Sequence, residues 1–210
     1  MKKIINYIRN SFFCLIIAPP KFTEIGKDCI IRFCDGRYIN GSNNRIIVKD
    51  KCLINKCQFF IKGNNNTIII GSECRLSGMI FWIQDDNNMI KIGAKTSIGS
   101  GTELAVLEGT SIEIGEDCML SDNISIRTSD SHSIINESGK RINLAKSITI
   151  GDHCWIGMQC LIMKGAILEK NSILGARSIL TKQYTIPGCI LTGAPAKVIR
   201  ENVNWDRKRI

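Results

Sequence analysis

The chain has only two histidines, His132 and His153, and both lie in the segment from Ile124 to Gly157. An imidazole ionises near neutral pH, so a well-placed histidine can take the proton of a hydroxyl group during nucleophilic attack. His132 stands in the polar sequence TSDSHS, close to Asp130. We therefore consider His132 as a candidate general base. Asp130 would either orient its ring through the second nitrogen or cap a turn.

A repeat with a period of 22 residues surrounds the histidines. The units NRIIVKDKC, NTIIIGSEC, NMIKIGAKT and TSIEIGEDC begin at positions 44, 66, 88 and 110, and KSITIGDHC begins at position 146. The last interval, 146 minus 110, is 36 residues, which leaves 14 beyond the period. Loops on a regular scaffold often carry functional residues. His132 opens this insertion over residues 132–146, whereas His153 occupies a repeated position and is predicted to be a turn residue.

Aliphatic residues recur every six positions within the repeat, most strictly from Ile150 to Leu180. This spacing fits neither a helix, with about 3.6 residues per turn, nor a single strand, which alternates every two residues. It indicates short strands, three to a coil, whose aliphatic side chains point into a shared core. We therefore predict an all-β solenoid domain over residues 21–194.

The ten cysteines follow the same repeat. Cys29, Cys118 and Cys154 close the similar sequences IGKDC, IGEDC and IGDHC, and Cys52 and Cys74 are one period apart. Residues at one repeated position stack above one another, so they do not surround a tetrahedral metal ion. We interpret these cysteines as small buried residues in a reducing compartment and predict no metal site.

The two ends of the chain lie outside the repeat. Residues 1–20 combine positive charge with an apolar helical face. This pattern predicts an N-terminal helix that caps the solenoid. A second interpretation is that the helix makes peripheral contact with a membrane. Residues 195–210 are predicted to form a helical or extended C-terminal tail.

The net charge of +9 suits an anionic ligand or a solvated basic surface. Nucleic acid is not a predicted partner, because no dense basic stripe with interleaved aromatic residues is present.

The sequence IGDHCWIG, the hexads after it and the closing ILTGAPAKVIR resemble the hexapeptide-repeat acyltransferases. The similarity covers roughly residues 44–200, and its nearest subgroup is the sugar and polysaccharide O-acetyltransferases that include maltose and galactoside acetyltransferases. It implies a left-handed parallel β-helix and a homotrimer with sites between neighbouring solenoids. The cysteines indicate a cytoplasmic location, with the inner face of a membrane as the alternative if the N-terminal helix contacts it. It also implies transfer of an acetyl group from acetyl-CoA to a saccharide hydroxyl.

The same resemblance implies roles for individual residues. It supports His132 as the base and places Trp155 at the active-site wall, although apolar packing explains Trp155 equally well. Backbone amides of the last coils would bind the pantetheine arm of coenzyme A, and nearby cations would bind its phosphates. The implied coenzyme A contacts are Gly157, Gly175, Ala176, Arg177, Lys182, Pro195 and Lys197, with Ala194 and Arg200 as further candidates.

Two other functions fit the same sequence. The chain could acetylate the nitrogen of an amino sugar, which uses the same donor and the same kind of base. It could also be a solenoid that binds a ligand without catalysing a reaction. A histidine retained at the edge of the inserted loop favours an enzyme over a binding protein.

Overall fold

The computed structural model describes residues 20–209, which wind into a three-sided parallel β-solenoid. Each coil contributes one strand to each of three sheets, so neighbouring strands in a sheet are three apart in chain order. Residues one 22-residue period apart are paired on neighbouring strands. Ile46 pairs with Ile68, Ile68 with Ile90, and Ile90 with Ile112. The predicted β-solenoid is confirmed, and its architecture fits a left-handed β-helix.

The three sheets are numbered in the order in which the chain visits them. Sheet I contains β1 (Glu24–Ile25), β4 (Arg45–Val48), β7 (Thr67–Ile70), β10 (Met89–Ile92), β13 (Ser111–Ile114), β16 (Ile148–Ile150), β19 (Ile167–Leu168) and β22 (Gln183–Tyr184). Sheet II contains β2 (Ile30–Arg32), β5 (Leu53–Asn55), β8 (Arg75–Ser77), β11 (Ser97–Ile98), β14 (Met119–Leu120), β17 (Trp155–Ile156), β20 (Ile173–Leu174), β23 (Ile190–Gly193) and β24 (Ala196–Arg200). Sheet III contains β3 (Asp35–Asn40), β6 (Gln58–Lys62), β9 (Ile80–Gln84), β12 (Glu103–Leu107), β15 (Ser125–Arg127), β18 (Leu161–Met163) and β21 (Ile179–Leu180).

The core is a column of side chains enclosed by the three sheets. Residues in a strand point alternately inward and outward, so most strands supply one or two aliphatic side chains to the column. The rings of Phe59 and Phe81 stack inside it with centroids 4.7 Å apart. Sheet III therefore carries the bulkiest part of the core in the early coils.

The cysteine ladder is confirmed. Cys52, Cys74, Cys118 and Cys154 are buried, and each thiol donates to a backbone carbonyl of the next coil at 3.0–3.3 Å. Thr96 takes the same position in the intervening coil and donates in the same way at 2.9 Å. All nine cysteines that the structure describes are free thiols.

The C-terminal tail contains no helix, so a helical tail was a wrong expectation for the described residues. After Gly193 the chain turns back, and β24 pairs antiparallel with β23 at the edge of sheet II. Open backbone groups at that edge pair with the returning strand, which a helix could not do. Residues 1–19, including nearly all of the predicted N-terminal helix, lie outside the described residues. Between residues 20 and 209 no helix is long and apolar enough to cross a membrane.

Candidate functional site

The insertion emerges at the corner between sheets III and I. The chain leaves β15 at Arg127 and re-enters the repeat at β16, beginning with Ile148. Between them two arms run antiparallel, because Ile142 donates its N–H to the carbonyl of Ile134 at 2.8 Å. A turn from Asn136 to Lys140 joins the arms. The inserted arm, as we call residues 130–146, is therefore a hydrogen-bonded hairpin-like projection rather than an unstructured loop.

Glu108 anchors the inserted arm to the preceding coil. Its carboxylate accepts two hydrogen bonds from the guanidinium of Arg141, at 2.7 and 2.9 Å, and one from Ser129 Oγ at 2.6 Å. The Arg141 bonds, followed by the Ser129 bond, hold the pKa of Glu108 below its ordinary value. One carboxylate thus binds both the base of the arm and its returning strand.

Asp130 does not orient the His132 ring in this structure. Its carboxylate accepts hydrogen bonds from Lys164 Nζ and from Asn143 Nδ2, the latter at 2.7 Å, and these lower the pKa of Asp130, with the Lys164 bond contributing most. Asn143 Nδ2 also donates to the backbone carbonyl of His132 at 2.8 Å. Asp130 therefore fixes the backbone at His132 through Asn143, whereas sequence reasoning had considered a direct contact with the imidazole.

The His132 side chain is exposed at the start of the arm. Within residues 20–209 its imidazole makes no hydrogen bond or ion pair, although the backbone that carries it is held by Asn143. An imidazole with no hydrogen-bond partner, on a fixed backbone, can accept the proton of an incoming hydroxyl group. The structure thus leaves His132 available as a base.

His153 has a structural role, in agreement with the prediction of a turn residue. Its φ of 53° lies in the left-handed region, as at the equivalent corner residue Asp117 in the preceding coil. The ring bridges Asp117 Oδ2 at 2.9 Å and the Trp205 carbonyl at 3.0 Å, and it stacks on the Trp205 indole with centroids 4.4 Å apart. His153 therefore fastens the C-terminal tail to the solenoid.

Trp155 lies on the outer face of sheet II, with 37% of its surface exposed. The Trp205 ring packs obliquely against it at 6.1 Å, so the tail supports this indole from one side. Sheet II is a different face from the corner that carries the inserted arm. Within one protomer, Trp155 and His132 are therefore on different parts of the prism surface.

The predicted coenzyme A contacts fall in three places. Gly157, Gly175, Ala176 and Arg177 meet at the corner between sheets II and III, where a side chain on Gly157 would lie 2.5 Å from the Ala176 nitrogen. Exposed Lys182 lies at the corner between sheets III and I. The remaining candidates lie around the turn between β23 and β24, where Pro195 and Lys197 are exposed.

Sequence reasoning missed Glu108, Asn143 and Arg207. Arg207 binds Asp117 Oδ1 at 3.1 Å, Ser97 Oγ at 2.9 Å and the Cys118 carbonyl at 2.8 Å, which ties the tail to two coils. No spacing signal points to these contacts, because their partners lie at varied separations, up to 112 residues away. Among residues 20–209, no three His, Cys, Asp or Glu side chains are grouped so that they could hold a metal ion.

The anchor at Glu108 gives a first prediction. Glu108→Gln removes the charge that holds Arg141, so we expect the inserted arm to loosen and kcat for the reaction proposed below to fall about tenfold. Hydrogen exchange at residues 134–142 should rise in parallel. Glu103→Gln is the matched control, because Glu103 pairs with Arg127 inside sheet III and does not touch the arm. Equal effects of the two substitutions would contradict a specific anchoring role.

Comparisons with known proteins give one family and several relatives. The model of the family described as bacterial transferase hexapeptide (six repeats) matches residues 147–182. The chain is 44% identical over 116 residues to a polysialic acid O-acetyltransferase of Neisseria meningitidis, and the match covers 55% of this chain and 54% of that protein. The chain thus spans about half the length of this curated relative.

Two solved structures extend the similarity over most of the solenoid. The crystal structure of the polySia specific acetyltransferase NeuO has a TM-score of 0.78 and 31% identity, covering 88% of this chain and 84% of that chain. The polysialic acid O-acetyltransferase OatWY has a TM-score of 0.74 and 29% identity, covering 89% of this chain and 92% of that chain. These matches include the early coils, which the family model does not reach.

Proposed function

The chain belongs to the hexapeptide-repeat acyltransferase family, and we propose that it transfers the acetyl group of acetyl-CoA to a hydroxyl of a saccharide. The acceptor class we propose is a polymer of sialic acid or its precursor, in line with what the relatives are named for. The proposal rests on one observation about His132. Its imidazole has no hydrogen-bond partner within the described residues, while the arm that carries it is fixed by hydrogen bonds.

In the proposed reaction, His132 takes the proton from the sugar hydroxyl as its oxygen attacks the thioester carbonyl. The oxyanion of the tetrahedral intermediate is stabilised by backbone N–H groups at a coil turn. The C–S bond then breaks, an acetyl ester remains on the sugar, and the proton passes from the imidazolium to the leaving thiolate. Attack is direct because the thioester is already activated, and Trp155 forms the wall beside the reacting groups.

The proposed active form is a homotrimer. His132 lies at the corner between sheets III and I, whereas Trp155 lies on sheet II, so a site that contains both side chains requires contact between neighbouring copies. The inserted arm supports this, because it exposes aliphatic side chains over 56–63% of their surfaces, which a neighbour would cover. These side chains are Ile134, Ile135, Ile142 and Leu144.

Coenzyme A would be held by the last coils. Exposed Arg177, Lys182 and Lys197 supply cations for its phosphates, and backbone amides at the Gly157 corner, where successive coils pack closely, would bind the pantetheine arm. We place the reaction in the cytoplasm, where acetyl-CoA is available and the free thiols of the ladder would stay reduced.

The proposal is tested by incubating the chain with acetyl-CoA and a panel of saccharides while thiol release is measured. We expect release with sialic acid polymers and a product acetyl group that mild alkali removes, as it does an ester. An alkali-stable product on an amino sugar would replace this proposal with N-acetylation, and no release on any saccharide would favour a binding protein.

Sedimentation of the same sample should give three times the mass of one chain, and a monomer would contradict the trimer.

A further inference from the structure

The outer face of sheet II carries a groove that the proposed chemistry does not use. Two depressions, of about 560 and 370 Å³, adjoin at Arg75, which lines both of them. The larger is closed at one side by Arg207 from the C-terminal tail, and the smaller extends to Arg32 in the first coil. We call the combined depression the basic groove. It is lined by Arg32, Lys51, Arg75, Lys95, Ser97 and Arg207.

Most cations of the basic groove, with the exception of Arg207, are not neutralised by the protein. Within the part of the chain that the structure describes, the side chains of Lys51, Arg75 and Lys95 form no ion pair. Several cations elsewhere on the described surface are paired, as Arg127 is with Glu103. Unpaired cations that line one depression attract an anion more strongly than single surface charges do.

The acidic residues of the groove do not cancel this charge. Five basic residues line the two depressions, against Glu73 and Asp117, a difference of three positive charges. Asp117 is already bound by Arg207 and hydrogen-bonded to His153. The groove therefore favours a ligand with several negative charges.

The basic groove lies on the same sheet face as Trp155 and in register with it. Aligned positions on neighbouring strands run from Trp155 through Met119 and Ser97 to Arg75, and from there to Leu53. Neighbouring strands are about 4.8 Å apart, so Arg75 lies roughly 14 Å from Trp155 along the face. This length accommodates several sugar units beyond one placed at Trp155.

Apolar side chains stand beside the cations in the smaller depression. Leu53 and Phe33 are 40% and 49% exposed beside Arg75 and Arg32. The C–H faces of sugar rings pack against such surfaces, while carboxylates reach the cations. We propose that the basic groove binds an extended, carboxylate-bearing glycan chain and holds acceptor units distant from the reacting hydroxyl. The inference rests on the proposed function, since it concerns the acceptor of that reaction.

The test compares Arg75→Gln/Lys95→Gln with the unmodified chain on sialic acid polymers of long and short chain length. We expect KM for the long polymer to rise about tenfold, with kcat unchanged and a weaker dependence on salt. KM for a disaccharide should not change, because it would occupy only the Trp155 end. Lys62→Gln/Lys91→Gln is the matched control, since it removes the same charge from sheets III and I.

Direct binding of the long polymer, measured without acetyl-CoA, separates this inference from the proposed function. Groove-dependent binding without turnover would overturn the function and support the groove. Turnover with a KM unaffected by Arg75→Gln/Lys95→Gln, or raised equally by the control, would overturn the groove. Groove-dependent binding of anionic phospholipid vesicles or single-stranded DNA that exceeds polymer binding would also overturn the assignment to a glycan.

Discussion

Replacing His132 with alanine should lower kcat for acetyl transfer by about 10²–10⁴-fold, the usual loss when a general base is removed. The imidazole makes no hydrogen bond within residues 20–209, so its removal should leave the fold unchanged. The affinity for coenzyme A should also persist, because the proposed cofactor contacts lie on the last coils. Steady-state thiol release and equilibrium binding of coenzyme A measure the two quantities separately.

The other histidine provides the control. His153→Asn keeps a residue that tolerates the left-handed backbone at this corner, but it weakens the contacts to Asp117 and Trp205. We expect a loss of activity of at most a few-fold and a lower melting temperature. A larger loss of kcat in His153→Asn than in His132→Ala would reverse the two assignments.

Replacing Phe81 with alanine should lower the free energy of unfolding by about 3–5 kcal/mol. The ring is completely buried and lies nearly parallel to that of Phe59, with an angle of 9° between their planes. Both side chains come from repeated positions in sheet III, so the surrounding coils cannot close the cavity without losing their register. Urea unfolding at fixed protein concentration measures the change.

Phe60 offers a matched comparison on the outer side of the same sheet. Its ring stacks on Trp82 at 4.1 Å but is only partly buried, so Phe60→Ala should cost about 1 kcal/mol. If Phe60→Ala destabilised the chain as much as Phe81→Ala, the core would not be the main source of stability in these coils.

The repeat made the scaffold predictable. A residue such as Ile68 is both one period from Ile46 and its partner in the parallel register, so sequence spacing translates directly into structure. The cysteine ladder follows for the same reason, since Cys52 and Cys74 occupy one position in consecutive coils. The place of the insertion was predictable too, because it is the interval that breaks the period.

The contacts that shape the site were not predictable in this way. Asn143 lies within the insertion, and Glu108, although it lies in a coil, binds a residue of the insertion, so spacing carries no information about their partners. The C-terminal tail poses the same difficulty, since β24 could be identified only from the open edge of sheet II that it covers. A contact between Asp130 and the His132 ring was one of two expectations for that residue, but Lys164, 34 residues later, binds its carboxylate instead.

We propose above all that this chain transfers the acetyl group of acetyl-CoA to a sugar hydroxyl and forms an ester there. The most direct test follows thiol release and alkali-labile acetyl groups together in one reaction with a sialic acid polymer, for the unmodified chain and for His132→Ala. For the unmodified chain we expect one acetyl ester for each thiol released. For His132→Ala we expect almost no thiol release and almost no ester. Thiol release without ester, or equal ester formation by both chains, would contradict it.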